Sequence, residues 1–148
     1  WEWLAAKWKE ALGVDLSLDP VESTTFTALT KDIATAPQAF ILGWCADYPD
    51  PENFTDALFY TGAQQNRGHY SNPQVDALLA QARTERDVTK RLQLYQQAEQ
   101  LIVDDAPVIF TTHGLSHVLV KPHIQGYVLT PIGLPLERYL SIDADQMK

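Results

Sequence analysis

Cysteine is almost missing from this chain: Cys45 is the single one in 148 residues. No disulfide can close within the chain, and no multi-cysteine zinc site can form. One thiol by itself carries no information on redox compartment. Positive charge is also scarce, with 11 Lys and Arg against 19 Asp and Glu and a net charge of −8. That balance argues against a nucleic-acid partner, whose phosphates are held by clustered Lys and Arg. It argues equally against attraction to an anionic membrane surface. No apolar run approaches the ~20 residues of a membrane span, and no secretory signal is recognisable. Glycine is sparse too. Gly62 and Gly68 are too far apart for a phosphate-cradling loop, and no Lys-Ser/Thr pair follows them. The chain has no initiator Met and opens at Trp1 inside a helical pattern. The expectation is a piece of a longer protein, with a signal or a second domain outside it.

What is present is the composition of an ordinary soluble domain, 45% apolar and 20% charged. The length suffices for one domain with a real core. Trp1, Leu4, Ala5, Trp8 and Leu12 share one face of a helix, and Gly13 is placed to cap it. Val14, Leu16 and Leu18 alternate with polar residues, the period of a strand that Pro20 ends. Ser23 or Thr24 can cap a second helix carrying Phe26, Leu29 and Ile33. Gln38 to Trp44 reads as a second strand. Helix, strand, helix, strand at this spacing predicts an α/β layer with parallel strands.

Further on, a short helix is expected from Asn53 to Tyr60 and a polar loop from Thr61 to Gly68. Asn72 and Pro73 form a strong helix start. Val75, Leu78, Leu79 and Ala82 make its inward face. Asp87 caps the next helix, which buries Leu94, Tyr95, Ala98, Leu101 and Ile102. Asp104, Asp105 and Pro107 stop it. Strands are expected at Val108–Thr112 and Leu115–Val120, with strand character again at Leu140–Ile142. The last 35 or so residues form no self-contained unit.

The stretch Phe40 to Phe54, F-I-L-G-W-C-A-D-Y-P-D-P-E-N-F, carries the densest chemistry. An apolar run leads into a Pro- and Asp-rich turn, with Trp44, Cys45 and Asp47 at the join. A carboxylate just past a strand end is well placed to meet a ligand. The apolar approach suggests that Asp47 is partly buried. The competing reading has Asp47 accepting from turn N–H groups as an Asx-turn. Trp44 can line a pocket, as aromatic side chains do in small-ligand sites. Asp50 and Glu52, fixed in the turn by two prolines, read as solvated surface acids.

Other constellations are weak. Gly114-Leu115-Ser116-His117 resembles a nucleophile elbow, but position 118 is Val and no helix pattern follows. His113, His117 and His123 lie in an extended segment without an H-E-x-x-H context, so no metal site is expected. Paired carboxylates, Asp47 with Asp50 or Glu52, keep a carboxylate-dependent hydrolase in view.

Five motifs then occur in order: G-W-C-A-D-Y-P-D-P-E-N-F, G-H-Y-S-N-P-Q-V-D-A-L-L, R-L-Q-L-Y-Q-Q-A-E-Q-L-I, A-P-V-I-F and L-V-K-P-H-I-Q-G-Y. Together they resemble the C-terminal part of the solute-binding proteins of ABC importers, in the oligopeptide- and dipeptide-binding family. The opening W-K-E-A-L-G-V-D-L-S-L resembles that family's helix into strand.

The resemblance implies an α/β, type II periplasmic-binding-protein-like fold, of which this chain is a fragment containing much of the second lobe. Residues 1–112 would be the second-lobe portion. Residues 113–148 would return toward a first lobe that is absent, crossing near His113 to Ser116. It implies capture of a peptide between two lobes and delivery to a membrane permease. The protein would be periplasmic or extracellular, held at a membrane only through a lipid anchor outside this chain. No catalysis and no cofactor are implied. Asp47 would pair with the peptide α-amino group, while Gly43 to Cys45 would offer main-chain groups to an extended ligand. Trp44 would pack against it. Asn66 and Arg67 would be secondary contacts, Arg67 for a carboxylate or carbonyl. Some family members tie a Cys at the position of Cys45 into a disulfide; the alternative is a small buried apolar residue. Members with a similar turn also bind oligosaccharides, in which case Trp44 and Tyr48 would stack on sugar rings.

Overall fold

The computed structural model describes residues 1–112, 114, 115, 117–130, 133 and 136–147. His113 and Ser116, which figured in the metal, elbow and lobe-crossing expectations, lie outside the described residues. The chain divides into two compact units, Trp1–Ala39 and Phe40–Lys148.

The first unit contains α1 (Glu2–Leu12) and α2 (Ser23–Lys31). α1 ends as its sequence dictates. Gly13 is left-handed, with φ 70°, and its N–H donates to the Lys9 carbonyl. α2 begins where expected but with a different cap. The Glu22 carboxylate, not Ser23 or Thr24, accepts from the N–H groups of Thr24 and Thr25, at 3.0 and 3.4 Å. A carboxylate in that place also meets the positive end of the helix dipole, which a hydroxyl does less well. Trp1 and Leu12, on the apolar face of α1, are exposed.

The second unit holds α3 (Glu52–Phe59), α4 (Pro73–Thr84) and α5 (Val88–Asp105). Two short strands, β1 (Ile124–Gln125) and β2 (Ser141–Ile142), pair antiparallel. α4 and α5 form a helical hairpin. Its core is Val75, Leu79, Ala82, Tyr95, Ala98 and Ile102, flanked by Phe59, Tyr60, Tyr70, Leu78, Leu94 and Leu101. These are the faces that the 3.6-residue period marks. Burying side chains the size of Leu79 or Ile102 stabilises by roughly 1.5–3 kcal/mol each.

Caps set the hairpin's ends. The Asn72 side chain accepts from the Gln74 N–H at 2.9 Å, with Pro73 in the first turn. Asp87 accepts from the Lys90 N–H at 3.0 Å. Ala106, at φ 50°, closes α5 in the left-handed region. The other end of the Asn72 amide donates to Asp105 at 2.7 Å, and the Tyr70 hydroxyl donates to the same carboxylate at 2.6 Å. The start of α4 is thus tied to the end of α5. Burial, and then the bond to Asp105, push the Tyr70 hydroxyl pKa up to about 12. Asn72→Ala is expected to lower stability by about 1 kcal/mol. The measurement is a lower urea midpoint at unchanged slope.

The predicted strands are the main departure. Val14–Leu18, Gln38–Trp44, Val108–Thr112 and the described part of Leu115–Val120 are not part of a sheet. Among the described residues the pairing of Ile124 with Ile142 and Gln125 with Ser141 is the whole of the sheet. The parallel layer expected from helix–strand alternation is therefore not formed by these residues. A strand exists only as part of a ladder with a neighbour, and among the described residues the ladder is that of β1 with β2.

Candidate functional site

The Pro-Asp turn and the first turn of α3 build one hydrogen-bonded structure. The Asp50 N–H donates to the Tyr48 carbonyl at 2.9 Å, and the Asn53 and Phe54 N–H groups donate to the Asp50 and Pro51 carbonyls. The Asp50 carboxylate accepts from the Glu52 N–H at 3.0 Å. The side-chain cap of this turn is therefore Asp50. Among the described residues no main-chain N–H reaches the Asp47 carboxylate, so the Asx-turn reading of Asp47 does not hold. Asp47 is also exposed, not partly buried as the apolar approach suggested. The apolar run before it is itself exposed at Ile41 and Leu42 and makes no wall around the carboxylate.

Asp50 is not a free surface acid either. Arg91, on α5, grips it with two bonds of 2.8 Å. The Arg91 guanidinium lies 4.9 Å from the centre of the Tyr95 ring. The Arg91 hydrogen bond holds the Asp50 carboxyl below the usual carboxylate range. Glu52 accepts from the Tyr48 hydroxyl, a bond that raises the phenol's pKa. A glycosidase-type general acid needs the opposite, a carboxyl pushed up toward neutrality. Asp50 is not set up for that task.

Asp56 completes the anchoring of α3. It is only 4% exposed and forms an ion pair with Arg83 of α4. Arg83 in turn stacks over the Tyr60 ring at 4.2 Å. Burial raises the Asp56 pKa despite the guanidinium beside it. Two Arg–Asp pairs, one to each helix of the hairpin, thus hold the element that carries the Asp47 turn.

Asn53, buried at 4% exposure, is the hub of the site. Its Oδ1 accepts from the Trp44 indole Nε1–H at 3.1 Å and from the Asp47 main-chain N–H at 3.0 Å. Its Nδ2 donates to Asp47 Oδ2 at 3.4 Å. Trp44 and Asp47, both expected in the site, are brought together this way. Gly43, Trp44 and Cys45 carry no main-chain hydrogen bond among the described residues, and Gly43 and Cys45 are exposed. Cys45 is a free thiol at the surface, so the reading of it as a small buried apolar residue is corrected. Cys45 is exposed, so its side chain fills no pocket.

Asn66 and Arg67 lie in the loop between α3 and α4. Asn66 is 6% exposed, and its amide is engaged within the loop. Nδ2 donates to the Tyr60 and Tyr70 carbonyls at 3.1 and 2.7 Å, and Oδ1 accepts from the Tyr70 N–H at 3.0 Å. Expected as a ligand contact, Asn66 is turned inward and staples the loop. Arg67 is partly exposed and donates to Gln65 Oε1 at 3.2 Å. Among the described residues no cluster of His, Cys, Asp or Glu could hold a metal ion.

No family model matches the chain. Individual proteins do. The chain is 34% identical over 128 residues to the periplasmic oligopeptide-binding protein OppA of Salmonella typhimurium, covering 84% of this chain and 22% of that protein. It is 36% identical over 128 residues to the probable deoxycholate-binding periplasmic protein YgiS of Escherichia coli, covering 85% and 23%. In structure it is similar to HbpA2 from Haemophilus parasuis, with a TM-score of 0.81, 28% identity, and coverage of 96% of this chain and 28% of that one.

The fold is that of a fragment of an α/β, type II periplasmic-binding-protein-like protein. The chain belongs to the oligopeptide- and dipeptide-binding solute-binding proteins, family 5, whose members match it over about 85% of its length. It spans roughly a quarter of the length of these relatives, 22% of OppA and 28% of HbpA2. Among the described residues no helix is long and apolar enough to cross a membrane.

Proposed function

We propose that the protein carrying this chain is the peptide-capturing component of an ABC importer, with Asp47 as the anchor for the peptide α-amino group. The observation that carries this reading is the state of the Asp47 carboxylate. It is exposed, released from turn capping by Asp50, and among the described residues hydrogen-bonded only by Asn53. A protonated amine enclosed in a cleft needs such a partner, since an unpaired buried charge is strongly unfavourable. The main-chain groups of Gly43–Cys45, left without a ladder, suit pairing with an extended peptide irrespective of its side chains. Trp44, its indole N–H held by Asn53, offers its ring as a flat wall. Arg67 would meet a carbonyl or carboxylate further along the ligand.

In this reading the protein binds and releases its ligand without turnover, and uses no cofactor. Residues 113–148 return toward the other lobe, and the lobes close by a hinge. The closed form docks on the transmembrane permease from the periplasmic or extracellular side. Any membrane attachment is through a lipid anchor outside this chain. The test is calorimetry on the full-length protein with tri-alanine and its N-acetyl form. Tight binding of the free peptide and loss of it on acetylation are expected. Equal affinity for both removes the amine anchor, and hydrolysis of either peptide would point to the hydrolase instead.

A further inference from the structure

We propose that Asn53 is the positioning residue of this site, holding Asp47 and Trp44 in register with each other; the inference rests on the amine-anchor reading. One buried carboxamide oxygen accepts from two donors that lie nine and six residues back along the chain. They are the Trp44 indole N–H at 3.1 Å and the Asp47 main-chain N–H at 3.0 Å. The amide nitrogen of the same group donates to Asp47 Oδ2 at 3.4 Å. All three bonds act on the two residues that the amine-anchor reading turns toward the ligand. None is needed to close α3, whose first-turn N–H groups are taken by the Asp50 carboxylate and by the Asp50 and Pro51 carbonyls.

An amide is suited to this place because it carries an acceptor and a donor on one planar group. Its oxygen orients the Asp47 backbone and the Trp44 ring together. Its nitrogen steers one carboxylate oxygen, leaving the other for a ligand amine. The Asn53 main-chain N–H is fixed to the Asp50 carbonyl at 3.1 Å, and Asp50 is gripped by Arg91. The orientation of the anchor is therefore referred back to the α4–α5 hairpin through the Asp50–Arg91 pair. The placement of a floppy surface carboxylate is converted into that of a mounted one, which is what preorganisation for a ligand requires.

The experiment compares full-length wild type, Asn53→Leu and Asn53→Asp by calorimetry with tri-alanine and its N-acetyl form. The Trp44 indole N–H is followed by NMR and assigned with Trp44→Phe. Asn53→Leu keeps the volume and removes all three bonds. It is expected to weaken free tri-alanine about tenfold, to change the acetylated peptide little, and to shift the Trp44 resonance. Asn53→Asp keeps the acceptor oxygen, so the Trp44 resonance should be retained, while the donor to Asp47 Oδ2 is replaced by a second carboxylate oxygen. Asn53→Ala carries the leucine expectation should that variant not fold. If Asn53→Leu weakens both peptides equally, or leaves both unchanged, the positioning role is overturned while the amine anchor stands. If Asn53→Asp shifts the Trp44 resonance as much as Asn53→Leu does, the shared oxygen is not what positions Trp44 and the positioning role is overturned. If the wild type fails to distinguish the two peptides, the amine anchor fails and this inference falls with it.

Discussion

Asp47→Asn is expected to lower the affinity of the full-length protein for a free-amine peptide by about a hundredfold or more, and that for the N-acetyl peptide little. The size follows from where the pair would sit. A solvent-exposed ion pair contributes about 0–1 kcal/mol, which is less than a tenfold change in affinity. Removing one partner of an enclosed pair costs about 3–5 kcal/mol, because the remaining charge is left buried. Asp47 is exposed in this chain. The larger figure therefore applies only if lobe closure brings the carboxylate and the amine out of water together. Calorimetry reads which regime holds. A loss of two orders of magnitude means an enclosed anchor. A loss below about fivefold means that the pair stays solvated and that Gly43–Cys45 and the enclosing lobe carry the affinity. Asn is the right replacement because it keeps the volume and a carbonyl acceptor for Asn53 Nδ2, so the turn itself is not disturbed.

The parts of this site that were legible in the sequence are the ones whose information is local. Trp44 and Asp47 lie within a few residues at the end of an apolar run, and composition alone marks the join. The caps at Gly13, Asn72 and Asp87 and the buried faces of α4 and α5 were legible for the same reason. Helix periodicity and capping are written within a turn or two of the backbone. Asn53 was missed as a hub because its partners lie across a turn. The available signal was an amide in the first turn of a helix that follows a Pro-bounded turn, where it can reach back toward the preceding segment. The Asp50–Arg91 and Asp56–Arg83 pairs join residues 41 and 27 apart. No local pattern announces such a pair.

The strands failed for a different physical reason. Alternation at Val14–Leu18 and the apolar runs at Gln38–Trp44 and Val108–Thr112 do mark segments that favour a pleated, buried setting. A ladder also needs a second backbone, and the described residues supply one only at Ile124–Gln125 with Ser141–Ile142. Ile41, Leu42, Ile109 and Phe110 remain exposed accordingly. The type II fold is thus carried by the likeness to HbpA2 at a TM-score of 0.81, not by a sheet that these residues complete.

Arg83→Met should destabilise the protein by about 2–3 kcal/mol at pH 7 and by clearly less at pH 4. Asp56 is 4% exposed while the Arg83 side chain is 41% exposed, so the full cost of breaking a buried pair is discounted for the solvated partner. The sign of the pH dependence follows from the direction of the Asp56 shift. Burial already raises its pKa above the unfolded value, and the hydrogen bond and charge of Arg83 oppose that rise. Without the guanidinium the folded-state pKa moves further up. Below the unfolded carboxylate pKa, near 4, the acid is protonated in both states and the variant loses little. From there up to the variant's raised folded-state value the unfolded chain ionises while the buried, unpartnered acid holds its proton, and the stability difference opens. Methionine keeps an unbranched apolar chain near the Tyr60 ring, so the pH-independent loss of packing is small. Urea unfolding of wild type and Arg83→Met at pH 4 and pH 7 reads the effect. Adding Asp56→Asn to the variant should restore most of the loss at pH 7 and almost nothing at pH 4. Equal destabilisation at the two pH values would show that Arg83 acts through its stacking on Tyr60 and not through the buried carboxylate. Since α3 is mounted on the hairpin through this pair and through Asp50–Arg91, the same variant should also loosen the Asn53–Trp44–Asp47 arrangement at neutral pH.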